Sequence, residues 1–173
     1  VVPKIRTVAV IGAGLQGIEI AYAVALAGYR TILEDILPAS LRKAEAGMRT
    51  RLDAALRLGQ IARDAAEAML QRIEYASTVE EAARQADLVI EAVPDELESK
   101  LEIFILLDKI CKPETILASS TSVLGISEIA SVTYRAERCI GLRFSHSGQV
   151  EVVRGPADDE TFGACSELAL RMH

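Results

Sequence analysis

The run Thr7-Val8-Ala9-Val10-Ile11-Gly12-Ala13-Gly14-Leu15-Gln16-Gly17 constrains this chain more than any other. An apolar stretch of strand character ends in G-x-G-x-x-G, and a helix-like stretch, Ile18 to Leu26, follows at once. Each glycine has its own task in such a turn. Gly12 permits the tight strand-to-helix reversal, Gly14 lets a pyrophosphate approach the backbone, and Gly17 lets the helix lie close on the strand. The helix N-terminus then offers free N–H groups and the positive end of its dipole to phosphates. A second strand, Arg30 to Leu33, leads to Asp35, about the ~20 residues onward at which a carboxylate meets a ribose hydroxyl. Asp35 is preceded by Glu34, and no further arginine or lysine comes before Arg42. A 2′-phosphate would meet two acids and no cation, so NAD is expected rather than NADP. The plainer alternative is that both are solvated strand-end acids.

Strand and helix alternate through the rest of the chain. Gly28 stops the first helix. Pro38-Ala39-Ser40 opens a long helical stretch with Leu41, Ala44, Met48, Leu52 and Ala55 at helical spacing and Arg42, Lys43, Arg49, Arg51 and Arg57 mostly on other faces. Gly59 breaks it, and Asp64 is expected to cap a second helix, Ala65 to Gln71, which makes a helical hairpin insertion after the second strand. Its basic residues either form a solvated face or meet an anionic substrate tail. Ile73 to Ala76 reads as a short strand. Thr78 and Glu81 form a capping box for a helix running to Gln85. Asp87 to Val93 is an apolar strand of the buried parallel type, closed by Pro94, and Glu96 to Cys111 is the next helix. Thr115 to Ala118, Cys139 to Phe144 and Gln149 to Val153 read as strands, and Ile126 to Ala130 and Asp158 to Met172 as helices. The pattern predicts an α/β fold: a doubly wound, Rossmann-type, mainly parallel sheet with helices on both faces.

Half of the 173 residues are hydrophobic and aromatics are 4%, an aliphatic α/β composition that fits one domain, residues 1–173. A net charge of −6 argues against nucleic acid as partner, since phosphate neutralisation needs a basic face. Cys111, Cys139 and Cys165 are scattered without C-x-x-C spacing, so reduced thiols in a cytoplasmic protein are expected and a metal site is not. No apolar run reaches the ~18 residues of a membrane span, so no membrane partner is expected.

Several segments together resemble one family. Val10-Ile11-Gly12-Ala13-Gly14 with Gly17, Asp87-Leu88-Val89-Ile90-Glu91-Ala92-Val93, Lys100, the Ser119-to-Leu124 cluster and Val150-Glu151-Val152-Val153 occur in the order seen in 3-hydroxyacyl-CoA dehydrogenases. The resemblance implies hydride transfer between NAD and C3 of a 3-hydroxyacyl-CoA or related 3-hydroxy acid. It also implies a helical C-terminal domain, absent from this chain, that completes the substrate cleft and makes a homodimer. Carried over by position, Asp35 binds the adenine ribose, and Asp95 stands where the family has glutamate near the nicotinamide. Lys100 matches a lysine at the cofactor, Ser122 a serine that hydrogen-bonds the reacting oxygen. Leu15, Gln16, Ala92, Val93 and Ser120 are the remaining cofactor positions it implies.

The catalytic segment departs from the family pattern. The family reads G-x-H-F-F-N-P, a loop, then L-V-E-V-V. Here Gly141-Leu142-Arg143-Phe144-Ser145-His146-Ser147-Gly148-Gln149 leads into Val150-Glu151-Val152-Val153. Arg143 holds the histidine position, His146 falls where asparagine is usual, and the connection is a few residues shorter. Besides His173 at the chain's end, His146 is the sole imidazole, so His146 as base with Glu151 as its partner is the expected acid–base pair. Arginine stays charged near neutral pH, so Arg143 would polarise a carbonyl or grip a carboxylate. The competing expectation is a catalytically altered or inactive NAD-binding module of the same fold.

Overall fold

The computed structural model describes residues 4–172. Seven strands form one sheet: β1 (Thr7–Ile11), β2 (Arg30–Glu34), β3 (Ile73–Ala76), β4 (Leu88–Glu91), β5 (Ile116–Ser119), β6 (Cys139–Phe144) and β7 (Val150–Val153). Their spatial order is β3-β2-β1-β4-β5-β6-β7, every pair being parallel except β6–β7. The chain works outward from β1 to β3, then crosses back to lay β4 against β1. That reversal opens a crevice at the carboxyl ends of β1 and β4, the place where such sheets bind ligands.

The helices are α1 (Leu15–Leu26), α2 (Pro38–Arg57), α3 (Arg63–Arg72), α4 (Val79–Ala83), α5 (Leu97–Ile110), α6 (Ile126–Ala130) and α7 (Asp159–Arg171). Strand alternation divides the core into two layers. Val8, Val10, Leu88, Ile90, Ile116, Ala118, Ile140 and Leu142 face one way, packing with Ile20, Val24, Met48 and Met69 of α1–α3 and with Leu168 of α7. Ala9, Ile11, Val89 and Leu117 face the other, against Phe104 and Leu107 of α5 and Ile129 of α6. The central strands β1, β4 and β5 are buried on both faces, which explains why they read as continuous apolar runs. Among the described residues no helix is long and apolar enough to cross a membrane.

Several sequence expectations are corrected. Asp64 lies inside the first turn of α3 and accepts from the N–H of Ala65; the N-cap is Ala62, with no side-chain bond. The capping-box helix ends at Ala83 rather than Gln85, although Thr78 does accept from the N–H of Glu81 at 3.2 Å. β4 is shorter than Asp87 to Val93, because Ala92 onward turns away to form a loop into α5. Of the basic residues on α2, Arg49 pairs with Glu45, and Arg51 pairs with Glu19 while stacking on the ring of Tyr22.

The approach of α1 to the β1 turn is the tightest backbone constraint. Gly12 adopts φ +101°, which L side chains rarely tolerate. A Cβ on Gly17 would stand 1.7 Å from the carbonyl oxygen of Gly12, whereas one on Gly14 would have nothing within 4 Å. Gly17→Ala should therefore destabilise the fold by about 3 kcal/mol or more, lowering Tm by roughly 6–12 °C. Gly14→Ala should cost at most about 1 kcal/mol, as a poorer N-cap. Thermal unfolding of the two variants side by side checks the pair of outcomes.

Candidate functional site

The loops at the carboxyl ends of the central strands are tied together by backbone bonds: Gly12 N–H donates to the carbonyl of Glu34 (2.9 Å), Ala92 N–H to that of Ile11 (2.8 Å) and Ser120 N–H to that of Glu91 (3.0 Å). Above them, the first turn of α1 presents N–H groups that no preceding helical carbonyl can receive. Gly14, with open space where a side chain would be, and Leu15, 88% exposed, form its edge. Gln16 accepts a hydrogen bond from Ser120 at 3.1 Å and so links the α1 entrance to the end of β5. Gly17 is buried beneath. This cradle fits a dinucleotide pyrophosphate, since the space a Cβ at Gly14 would take is free for a phosphate oxygen.

Asp35 follows β2 and is held by two backbone donors, Ala13 N–H on Oδ2 (3.0 Å) and Leu37 N–H on Oδ1 (2.9 Å). The carboxylate is thus fixed at the rim of a cavity of about 420 Å³, lined among others by Ile11, Ile36, Thr78, Val79, Val93 and Ile103. Glu34 lines the same cavity rather than standing in solvent; the residue is only 5% exposed. Burial, and then the negative charges of Asp35 and Glu80, push its carboxyl up to about 7, against the opposing pull of the Gly12 N–H.

On the other side of the crevice, a buried polar cluster stabilises the loop after β4. Glu91 takes Lys100 Nζ (2.5 Å) and Val93 N–H (2.8 Å) on Oε1, and Ser119 Oγ (2.7 Å) on Oε2. Lys100 Nζ also donates to the carbonyl of Val93 (3.0 Å) and lies 3.4 Å from Asp95 Oδ1. The Lys100 and Glu91 side chains have no solvent exposure. The Lys100 ammonium is enclosed by Glu91 and the Val93 carbonyl and so fixes the segment of Ala92, Val93 and Asp95, which borders the crevice. Sequence reasoning missed Glu91 and Ser119 as partners. The signal was present in an acid inside a fully buried strand, with a lysine nine residues on to neutralise it.

The substrate side differs most from expectation. Ser122, Arg143, Phe144, Ser145, Gln149, Val150 and Glu151 line a cleft of about 660 Å³. Thr121 makes the local turn, its Oγ1 accepting from Val123 N–H (3.3 Å) and Leu124 N–H (3.0 Å). The exposed Ser122 hydroxyl is left without a protein partner among the described residues. Arg143 and Glu151 sit directly opposite each other on β6 and β7, 3.6 Å apart, and Arg143 Nε donates to the carbonyl of Thr121 at 3.4 Å. The pairing of His146 with Glu151 is not formed. His146 stands at the exposed tip of a hairpin closed by Ser145 and Gln149, makes no side-chain hydrogen bond or ion pair among the described residues, and is absent from the cleft lining. The short connection is a complete turn: Gly148 takes φ +81°, and the Ser145 hydroxyl accepts from Gln149 N–H.

The profile described as "3-hydroxyacyl-CoA dehydrogenase, NAD binding domain" matches residues 7–173. A probable 3-hydroxybutyryl-CoA dehydrogenase of Bacillus subtilis is 41% identical over 170 residues, 91% of this chain and 56% of that protein. A 3-hydroxybutyryl-CoA dehydrogenase of Bradyrhizobium diazoefficiens is 36% identical over 97% of this chain and 59% of its own length. The crystal structure of 3-hydroxybutyryl-CoA dehydrogenase from Escherichia coli K12 superimposes with a TM-score of 0.94 at 34% identity, over 98% of this chain and 37% of that one. This chain thus spans little more than half the length of these two curated relatives. Glycine cradle, acid after β2, sheet order and these likenesses agree: the chain belongs to the NAD-binding domain family of the 3-hydroxyacyl-CoA dehydrogenases.

Proposed function

We propose that this chain is the cofactor domain of an NAD-dependent dehydrogenase that moves hydride between NAD and C3 of a 3-hydroxyacyl-CoA or related 3-hydroxy acid. The observation that carries the reading is the joined pair of cradle and acid: the open edge at Gly14 beside an Asp35 carboxylate already oriented by Ala13 and Leu37. Bound NAD supplies the hydride acceptor. Gly12 makes the turn, Gly14, Leu15, Gln16 and Gly17 hold the pyrophosphate at the entrance of α1, and Asp35 holds the adenine ribose. Ala92, Val93, Asp95 and Ser120 border the nicotinamide side. Lys100 acts on that side as a positioning residue.

At the substrate side, Ser122 hydrogen-bonds the reacting oxygen and Arg143 polarises it or grips a carboxylate. His146 takes the C3 hydroxyl proton onto an imidazole nitrogen. For that, the hairpin tip must swing the imidazole into the cleft, and Glu151 must exchange Arg143 for it. That requirement favours a second reading, an NAD-binding module that has lost turnover, because the Arg143–Glu151 pair occupies the carboxylate that the imidazole needs. The first reading extends to a homodimer formed with a helical C-terminal domain. It also extends to a cytoplasmic setting, supported by three free, buried cysteines whose thiols burial pushes up to about 11, 11 and 12 for Cys111, Cys139 and Cys165.

NADH should bind at least tenfold more tightly than NADPH, read by its fluorescence. A 2′-phosphate at 4 Å from a carboxylate is opposed by about 1–4 kcal/mol per charge pair. Equal affinities would remove Asp35 from selectivity. In full-length protein assayed with acetoacetyl-CoA, His146→Ala should lower kcat by about 10²- to 10⁴-fold. An unchanged rate removes His146 from the mechanism, and no turnover in the parent enzyme with NADH bound selects the second reading. Arg143→Asn should release Glu151 and, on the first reading, change kcat more than the Kd for NADH.

A further inference from the structure

Glu34 is a carboxyl without a cation. It is 5% exposed, lines the cavity in front of Asp35, and no side-chain hydrogen bond reaches it among the described residues. The groups that face it are Asp35 from its own chain segment, Glu80 from α4 and the N–H of Gly12 from the turn after β1. The loop after β4 and helix α5 contribute Val93 and Ile103 to the same cavity, neither of them charged. Among the described residues, two acids and one amide thus surround it and no lysine or arginine lines the cavity.

The cavity is a slot for a flat, weakly polar ring. Ile11, Ile36, Val79, Val93 and Ile103 supply apolar walls, and the rim carries the ribose-binding acid. An adenine ring entering beside Asp35 would close Glu34 off from solvent. A carboxylate left there would be stranded in a dry pocket next to two like charges, whereas a carboxylic acid gains a donor for a ring nitrogen.

Resting on the dinucleotide reading above, we propose that Glu34 meets the adenine ring as a neutral carboxylic acid, so that the adenosine half of the cofactor binds together with one proton taken from solvent. Its near-neutral titration in the free protein supports this, since the proton is then gained at little expense around pH 7. The sign follows from linkage. A group that is protonated when bound and ionised when free makes binding stronger as pH falls and weaker as pH rises.

Isothermal titration calorimetry with NAD and with ADP-ribose, in phosphate and in Tris at equal pH, measures the protons taken up. With Glu34 half ionised near pH 7, uptake should be about half a proton per site at pH 7, rising toward one at pH 8.5. Affinity should fall by up to roughly tenfold per pH unit above 7. ADP-ribose, which carries the adenosine half without nicotinamide, should show the same uptake. Glu34→Gln should bind both ligands with no uptake and a flat pH profile between 6 and 8.5. Tight binding of NAD by the parent chain without uptake overturns the proposal and leaves the dinucleotide reading intact. Uptake that survives Glu34→Gln also overturns it. Failure of both ligands to bind the folded chain removes the dinucleotide reading and this inference with it. Should Glu34→Gln not fold, absence of uptake by the parent chain still overturns the proposal.

Discussion

The crevice depends on one buried carboxylate. Glu91 ends the central strand β4, and its two oxygens collect a donor from the loop ahead (Val93), from α5 (Lys100) and from β5 (Ser119). A charge with no solvent access is tolerated only when paired and hydrogen-bonded, and Glu91 and Lys100 meet that condition for each other. Removing one partner would strand the other and cost about 3–5 kcal/mol. The pair therefore does more than add stability. It obliges the chain to leave the sheet at Ala92, fixes where Val93 and Asp95 lie, and so shapes the crevice wall opposite the glycine cradle.

Much of this was legible in the residues. The glycines at 12, 14 and 17 have roles that follow from backbone geometry alone, and the structure reproduces them: one positive φ, one open edge, one contact that excludes a Cβ. The apolar strand runs predicted a sheet covered on both faces, as found. Local polar signals were less reliable. Asp64 looked like a cap because short acids favour helix starts, yet the helix begins two residues earlier than expected, at Arg63, and puts it inside the first turn. The direction of β7 was also hidden, since period-2 patterning does not distinguish parallel from antiparallel neighbours.

Side-chain environment was the least legible. Glu34 and Asp35 are adjacent acids at the end of β2, and sequence alone treats them as a like pair. The strand's alternation separates them: Glu34 shares the face of Ile32 and points into a cavity, while Asp35 leaves the sheet and is claimed by two backbone amides. Their chemistry diverges as a result, one carboxyl raised toward neutrality and the other fixed as an acceptor. Lys100 was placed at the cofactor by resemblance alone, and the partner nine residues earlier, Glu91, explains its burial.

At the cleft of Ser122, Arg143 and Glu151 the frame is set by other residues than those that line it. α6 is seated by two glycines. A Cβ on Gly141 would fall 3.0 Å from Ile126 Cδ1 and 2.9 Å from Val153 Cβ, and one on Gly155 would fall 2.9 Å from Ile126 Cγ2. These contacts set the distance between α6, with Ser122 in the turn before it, and the β6–β7 pair. None of them involves residue 143, so an imidazole or a guanidinium can stand there without moving the cleft walls. The short hairpin then brings Glu151 level with Arg143, and opposite charges across an antiparallel pair attract. The cofactor cradle stands apart from that pair, since it is built from constraints that lie elsewhere in the sheet.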